Sequence, residues 1–248
     1  MNSMYKDLKS YCVLLVSLVC TAFIVQSCKR DPVPGTQMQL NIIHASAAAA
    51  SIDLLQNLKT VGSYNYTTGL NIPANYSSVD SGFNNYRLQL GAVQLANWFF
   101  SNTAGRYSFF LFDTATADKL KYFFVEDVLD TTGLGKQSKI RLLQLSPDAD
   151  SLEVLTNRPI NIVQDSVVIA AKPYAGKLTQ ANLISSGAFQ SFYADTTVNI
   201  KIWSSVSNSI IKQYQLQFNK GGIYSLVMKG YLGKTNADSL SLSIIKHN

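Results

Sequence analysis

Leu40 to Asn57 reads LNIIHASAAAASIDLLQN, and Ile140 to Asn157 reads IRLLQLSPDADSLEVLTN, at a constant offset of 100 residues. Ser46/Ser146, Ala49/Ala149, Ser51/Ser151, Leu55/Leu155 and Asn57/Asn157 are identical, and Ile52/Leu152, Asp53/Glu153 and Leu54/Val154 are conservative. Five identities in 18 ungapped positions compare with about one expected from average composition. A second echo sets Asn102-Thr-Ala-Gly-Arg-Tyr-Ser108 against Asn219-Lys-Gly-Gly-Ile-Tyr-Ser225. The chain therefore reads as two copies of one unit.

Outward from the repeat, the first copy is expected over residues 38–128 and the second over 138–248, joined by a linker at 129–137 (LDTTGLGKQ). Each copy holds about 100 residues, enough for a core of its own. Leu40, Ile42 and His44 alternate with Asn41, Ile43 and Ala45, the period of a strand. Pro147-Asp148-Ala149-Asp150 reads as a turn, so Ala47 to Ala50 reads as one too. Gly105 to Phe112 is the strongest strand, with Lys119 to Asp127 as its hairpin partner. Seven or eight short strands per copy, with one short helical turn near Leu178 to Ser185, predict an all-β fold of two antiparallel β-sandwiches. No amphipathic helices separate the strands, which disfavours parallel α/β.

Ahead of the repeat, Lys6 and Lys9 precede an apolar run from Tyr11 to Val25 that ends in Gln26-Ser27-Cys28. A positive end, a short apolar stretch and a small residue are the order of an export signal, expected here over residues 1–27. The strictly apolar part is short for crossing about 30 Å of hydrocarbon. Val25-Gln26-Ser27-Cys28 resembles the lipobox of bacterial lipoproteins, which implies lipidation of Cys28. Residues 28–37, with two prolines and a glycine, read as a tether reaching at most about 30 Å. All three cysteines lie at or before position 28, so the mature chain holds no thiolate metal site and no cysteine nucleophile. The net charge of +6 becomes +5 once Lys6, Lys9 and Asp7 leave, and the remaining basic residues are scattered. No nucleic-acid partner is expected.

Ser146-Pro147-Asp148-Ala149, followed by Leu152-Glu153-Val154, resembles the H-x-S-P-D-A-P-x-V-D-V opening of the bacterial domain-of-unknown-function 4397 family. The first copy keeps the complementary half, His44-Ala45-Ser46 with Ile52-Asp53-Leu54, but writes alanines where that family writes Pro-Asp-Ala-Pro. Gly105 to Ser108 and Gly222 to Ser225 look like the family's later G-x-Y-T strand. The resemblance implies tandem immunoglobulin-like domains in secreted or lipid-anchored proteins of the bacterial envelope, and no reaction. The address it implies is the outer membrane or periplasmic side of a Gram-negative cell.

Candidate chemistry is sparse. His44, Ser46 and Asp53 could suggest a nucleophilic triad, yet Gln144 stands in place of His44 and no nucleophile elbow is written. The only other histidine, His247, is expected to fray at the carboxyl end. Asp148, Asp150 and Glu153 could offer oxygens to calcium, but the first copy has alanines at two of those positions, and calcium takes six to eight ligands. No metal and no cofactor are expected. Asp53 and Glu153 read as matching structural acids that accept hydrogen bonds from the preceding turn. Tyr107 and Tyr224 read as matching corner tyrosines, each hydroxyl bonded to a carbonyl a few residues upstream. Trp98-Phe99-Phe100, with Tyr64, Tyr66 and Tyr76, could form a sugar platform, although alternation sends Phe99 to the face opposite Trp98 and Phe100, and core packing is the plainer reading. The expectation is a lipid-anchored, non-catalytic binding, adhesion or structural protein with a protein or glycan ligand. A carbohydrate-binding accessory protein and a hydrolase are the rival classes.

Overall fold

The computed structural model describes residues 37–248 apart from Ala48, Asp150, residues 157–165 and Asp195. The expected signal, Cys28, most of the tether and Asp150 lie outside the described residues. The described residues are mostly β, with four sheets and one short α-helix among them.

In the first half, β1 (Gln37–Ala47), β5 (Tyr76–Asp80), β8 (Gly105–Thr114) and β9 (Lys121–Glu126) form one sheet in the order β5-β1-β8-β9. The strands β2 (Ser51–Gln56), β3 (Lys59–Asn65), β6 (Gly82–Leu90) and β7 (Val93–Asn102) form another in the order β3-β2-β6-β7. Leu40, Ile52, Leu54, Tyr86, Leu88, Phe109 and Leu111 bury a core between them. The second half repeats the plan. Here β10 (Gln137–Gln144), β13 (Gln190–Tyr193), β16 (Ile223–Lys229) and β17 (Ser241–Lys246) form the inner sheet. The outer one comprises β11 (Leu152–Thr156), β12 (Ser166–Lys172), β14 (Thr196–Ser204) and β15 (Ser209–Phe218). Ile140, Leu142, Val154, Ile200, Ile202, Leu226 and Ile244 fill the space between these two.

The inner sheets also bury their other faces, against each other. Ile43, Phe110, Phe112, Phe123 and Val125 of the first half meet Leu143, Leu145, Val227 and Ile245 of the second in a third core. Two buried faces leave no place for alternation, which is why β16 is buried at every residue while β6 and β15 alternate. Residues Gln37–Asn248 accordingly form a single compact unit.

The expected all-antiparallel pairing does not hold. β1 runs parallel to β8, with Leu40 opposite Tyr107, and β10 runs parallel to β16, with Ile140 opposite Tyr224. Alternation reveals which face a side chain takes, not the direction of the neighbouring strand. The intervening chain crosses to the outer sheet and back, the long connection a parallel pair requires. The matching registers make Leu40 and Tyr107 the counterparts of Ile140 and Tyr224. Tyr107 faces Glu126 and Tyr224 faces Lys246, so the next residues, Asp127 and His247, are counterparts too.

Each half also lends the other an arm. Between β3 and β5, β4 (Ile72–Pro73) adds to the free edge of β17, where the Ala74 N–H donates to the Lys246 carbonyl at 2.7 Å. Between β12 and β13, α1 (Gln180–Ser186) lies on β9, and Gln180 Nε2 donates to the Phe124 carbonyl at 3.1 Å. Covering an edge strand in this way removes its open row of backbone groups.

Candidate functional site

The open end of the first sandwich carries a groove of about 430 Å³ between the edge strands β7 and β9. Trp98 and Phe100 of β7, Tyr107 of β8, and Tyr122 and Phe124 of β9 line it, with Glu126 at its rim and Gln180 and Ile184 of α1 forming the far wall. Strand alternation points Trp98 and Phe100 inward, while Phe99 stays exposed and stacks on Phe83 with centroids 5.3 Å apart. Trp98 stacks on Tyr122 at 4.3 Å and Phe100 on Phe124 at 4.6 Å. Beyond Ile184 a second depression of about 340 Å³, lined by Val125, Val128, Lys139 and Phe189, shares Glu126 with the first. Flat apolar rings thus stand beside a carboxylate and a carboxamide, and the Trp98 indole N–H is buried behind them without a partner.

The residues singled out from the sequence fall elsewhere. His44, Ser46 and Asp53 are not brought together. The His44 Nδ1 accepts from the Ser46 N–H at 3.2 Å, and the Ser46 hydroxyl donates to the Asp113 carbonyl at 2.9 Å. Gln144 explains the exchange between copies, since its Oε1 accepts from the Ser146 N–H at 2.9 Å and its Nε2 donates to the Ala149 carbonyl at 3.0 Å. Either side chain braces the turn that follows. Burial pushes the pKa of His44 down to about 4, opposed by the Ala49 backbone and reinforced by Lys229. Asp53 accepts from Ser63 across the β2–β3 pair, because the register sets those two residues opposite each other. Glu153 sits on β11 opposite Trp203. Asp148 accepts from the Leu232 N–H at 2.8 Å and the Ser146 hydroxyl at 3.1 Å, tying its loop to the turn after β16. Among the described residues no three His, Cys, Asp or Glu side chains stand close enough to hold a metal.

The tyrosines differ. Tyr224 is buried, and its hydroxyl accepts from the Asn219 N–H at 2.9 Å, so the upstream partner is a donor and not the expected carbonyl. Tyr107 is half-buried and meets the Thr103 hydroxyl at 3.1 Å, a side chain rather than backbone. The glycine of the Gly-x-Tyr motif has a packing reason. A Cβ on Gly222 would stand 2.5 Å from the Tyr224 ring, and one on Gly105 would stand 3.1 Å from Tyr107.

A buried cluster escaped the sequence reading. Asp127, Arg141, His247, Ser108 and Ser225 meet in the joint between the halves, with Tyr76 closing it. Arg141 Nη2 pairs with Asp127 Oδ1 at 2.7 Å, and its Nε donates to the Ser225 hydroxyl at 2.7 Å. Ser225 lies 2.7 Å from His247 Nε2, and His247 Nδ1 lies 2.8 Å from the Tyr76 hydroxyl. Tyr76 and Ser108 both donate to Asp127 Oδ2, at 2.8 and 2.6 Å. With neutral His247 carrying its hydrogen on Nδ1, a tautomer assigned from these partners, the hydroxyls of Ser108, Ser225 and Tyr76 and the imidazole N–H each have an acceptor, while Arg141 Nη1 is buried without one. Burial lowers the His247 pKa to about 4, helped by Arg141 and opposed by Asp127. His247 is thus fixed in the joint and not frayed. Arg141, alone among Ile140, Leu142 and Leu143, was the available signal, since a charge in a run buried on both faces demands a partner.

The chain matches no protein-family model and no curated protein. Among solved structures it is similar to a candidate adhesin from Bacteroides ovatus, at 10% identity over 87% of this chain and 94% of that one. The TM-score of 0.16 is too low for the likeness to bear on fold or function.

Proposed function

We propose that the chain is a lipid-anchored protein of the cell envelope whose two immunoglobulin-like halves display a non-catalytic glycan-binding groove. The aromatic groove between β7 and β9 is the observation that carries this reading. A pyranose ring offers an apolar C–H face to the aromatic wall of the groove while its hydroxyls reach Glu126 and Gln180. The apolar run ending at Cys28 supports the anchor, and the motif likeness to the domain-of-unknown-function 4397 family supports the envelope address. Ser225 beside His247 could suggest a hydrolase, but that serine is fully buried and its oxygen already accepts from Arg141.

The test is a glycan array probed with the full chain carrying Cys28→Ala, followed by titration of Glu126→Gln on any binder. Glu126 is exposed, so the change spares the fold. Losing a hydrogen bond to a charged group costs about 1.5–3 kcal/mol, a drop in affinity of roughly ten- to more than a hundredfold. An empty array, or an unchanged affinity in Glu126→Gln, overturns the groove. Equal incorporation of labelled palmitate into wild type and Cys28→Ala overturns the anchor.

A further inference from the structure

The far wall of the groove does not belong to the half that makes its floor. Gln180 and Ile184 stand on α1, in the arm that the second half lays over β9. At the start of that arm the Tyr174 hydroxyl donates to Asp113 Oδ2 at 2.7 Å. At its end Phe189, two residues past the helix-capping Gly187, lies 4.3 Å from the Arg141 guanidinium and 5.6 Å edge-on to the His247 ring. The buried hydrogen-bond ring in the joint therefore also seats the arm.

We propose that this ring is an acid-operated latch: protonation of His247 breaks it, frees the α1 arm and opens the glycan groove. Only the last step rests on the groove being the ligand site; the latch concerns the arm alone.

The donor count carries the argument. Going round the ring, Arg141 donates to Ser225, Ser225 to His247 Nε2, His247 Nδ1 to Tyr76, and Tyr76 to Asp127. A second proton on His247 can only land on Nε2. That nitrogen then donates towards Ser225, whose own hydrogen loses its acceptor while its oxygen already receives Arg141. Charge works in the same direction. The ionisable groups around His247 are Asp127 beyond β9, Arg141 on β10 and Tyr76 on β5, with Arg106 of β8 standing 5.6 Å over the Tyr76 ring. The negative charge of Asp127 is already paired with Arg141, so protonation adds a second positive charge beside one carboxylate in a buried site. Burial in the joint, to which the seated arm contributes Phe189, holds His247 near a pKa of about 4. Once the arm lifts and water enters, the ordinary value of about 6.5 returns. Between those values each pH unit shifts the balance about tenfold towards the released arm.

The two histidines must first be separated. His44→Gln removes the other one, and Gln144 shows that glutamine braces the equivalent turn. Trp203→Phe then leaves Trp98 as the sole tryptophan, reporting from inside the groove. With the full chain in detergent micelles and no ligand present, hydrogen exchange corrected for its intrinsic pH dependence follows residues 178–189 against β2 and β6. From pH 7 to pH 5 the arm is expected to lose more than about tenfold of its protection while β2 and β6 keep theirs, and Trp98 emission shifts to the red. Adding His247→Gln abolishes that response. Should that variant not fold, Phe189→Ala is the alternative, expected to leave the arm unprotected already at pH 7 with no further change at pH 5. An arm indifferent to acid, an arm that loosens only together with both sheets, or a response that persists in His247→Gln overturns the latch. Because no glycan enters the measurement, a failed array leaves the latch standing, and a failed latch leaves glycan binding standing.

Discussion

The two halves share a plan and a register yet end differently. In the second, Tyr224 is sealed under Phe218, with centroids 4.9 Å apart, and Leu242 and Ile244 close the space between the sheets. In the first, the residues at the matching levels of the hairpin are Tyr122 and Phe124, and Tyr107 stays half-buried beside an open groove. Large stacked rings on β7 and β9 cannot interdigitate as short aliphatic chains do, so they leave room between the sheet edges. A groove in this fold is thus set by which side chains occupy two or three levels of one hairpin, with backbone pairing untouched.

The hardest test of that contrast is the joint, which belongs to both halves equally. Asp127→Ala removes one partner of a buried ion pair and should cost about 3–5 kcal/mol. In a unit of about 200 residues each kcal/mol lowers the melting point by about 2–4 °C. Calorimetry should show one transition, lowered as a whole. Two transitions, with only one displaced, would mean that the halves melt independently and that the comparison is between two separate bodies.

Acid comes next. His44 and His247 each have a folded pKa of about 4, below the unfolded value of about 6.5. The unfolded chain therefore takes up protons first, and the stability present above pH 6.5 is lost as pH falls towards 4. The cost is about 3 kcal/mol for each histidine over that window. His44→Gln should retain the neutral-pH melting point and remove about half of the decline, and an unchanged profile would show that the ring of His44 is not buried in solution.

The corner tyrosines give smaller, unequal effects. Tyr224→Phe removes a part-buried hydrogen bond from the Asn219 N–H at a cost of about 0.5–1.5 kcal/mol. Tyr107→Phe loses only a contact with an exposed threonine and should stay within about 0.5 kcal/mol. Equal losses in denaturant titration would erase the difference between a closed and an open sandwich end.

Much of this was legible in the residues. The repeat at Leu40 and Ile140, the turn at Pro147-Asp148 and the hairpin from Gly105 to Asp127 all declare themselves through local pattern, where one strand or one turn is sufficient evidence. The parallel pairing of β1 with β8 did not, because it depends on the route of the chain between strands more than fifty residues apart. The third core was hinted at by the unbroken run Ser225-Leu-Val-Met, buried on both faces. His247 looked like a fraying end and Asp127 like the last residue of a hairpin strand, because no local pattern shows that both meet Arg141 in the joint. The groove was half visible: alternation separated Trp98 and Phe100 from Phe99, but nothing local could place Tyr122, Gln180 and Ile184 opposite them.

The position of β1 has a mechanical consequence. The strand lies in the middle of its sheet, between β5 and β8, and a pull on the chain ahead of Gln37 enters along the strand axis. Hydrogen bonds between strands run across that axis. From Met38 to Ala47 they would therefore be loaded together, in shear, instead of opening one after another like a zip. A protein held by a tether at that end and by a ligand at the groove would resist tension through its longest parallel pair.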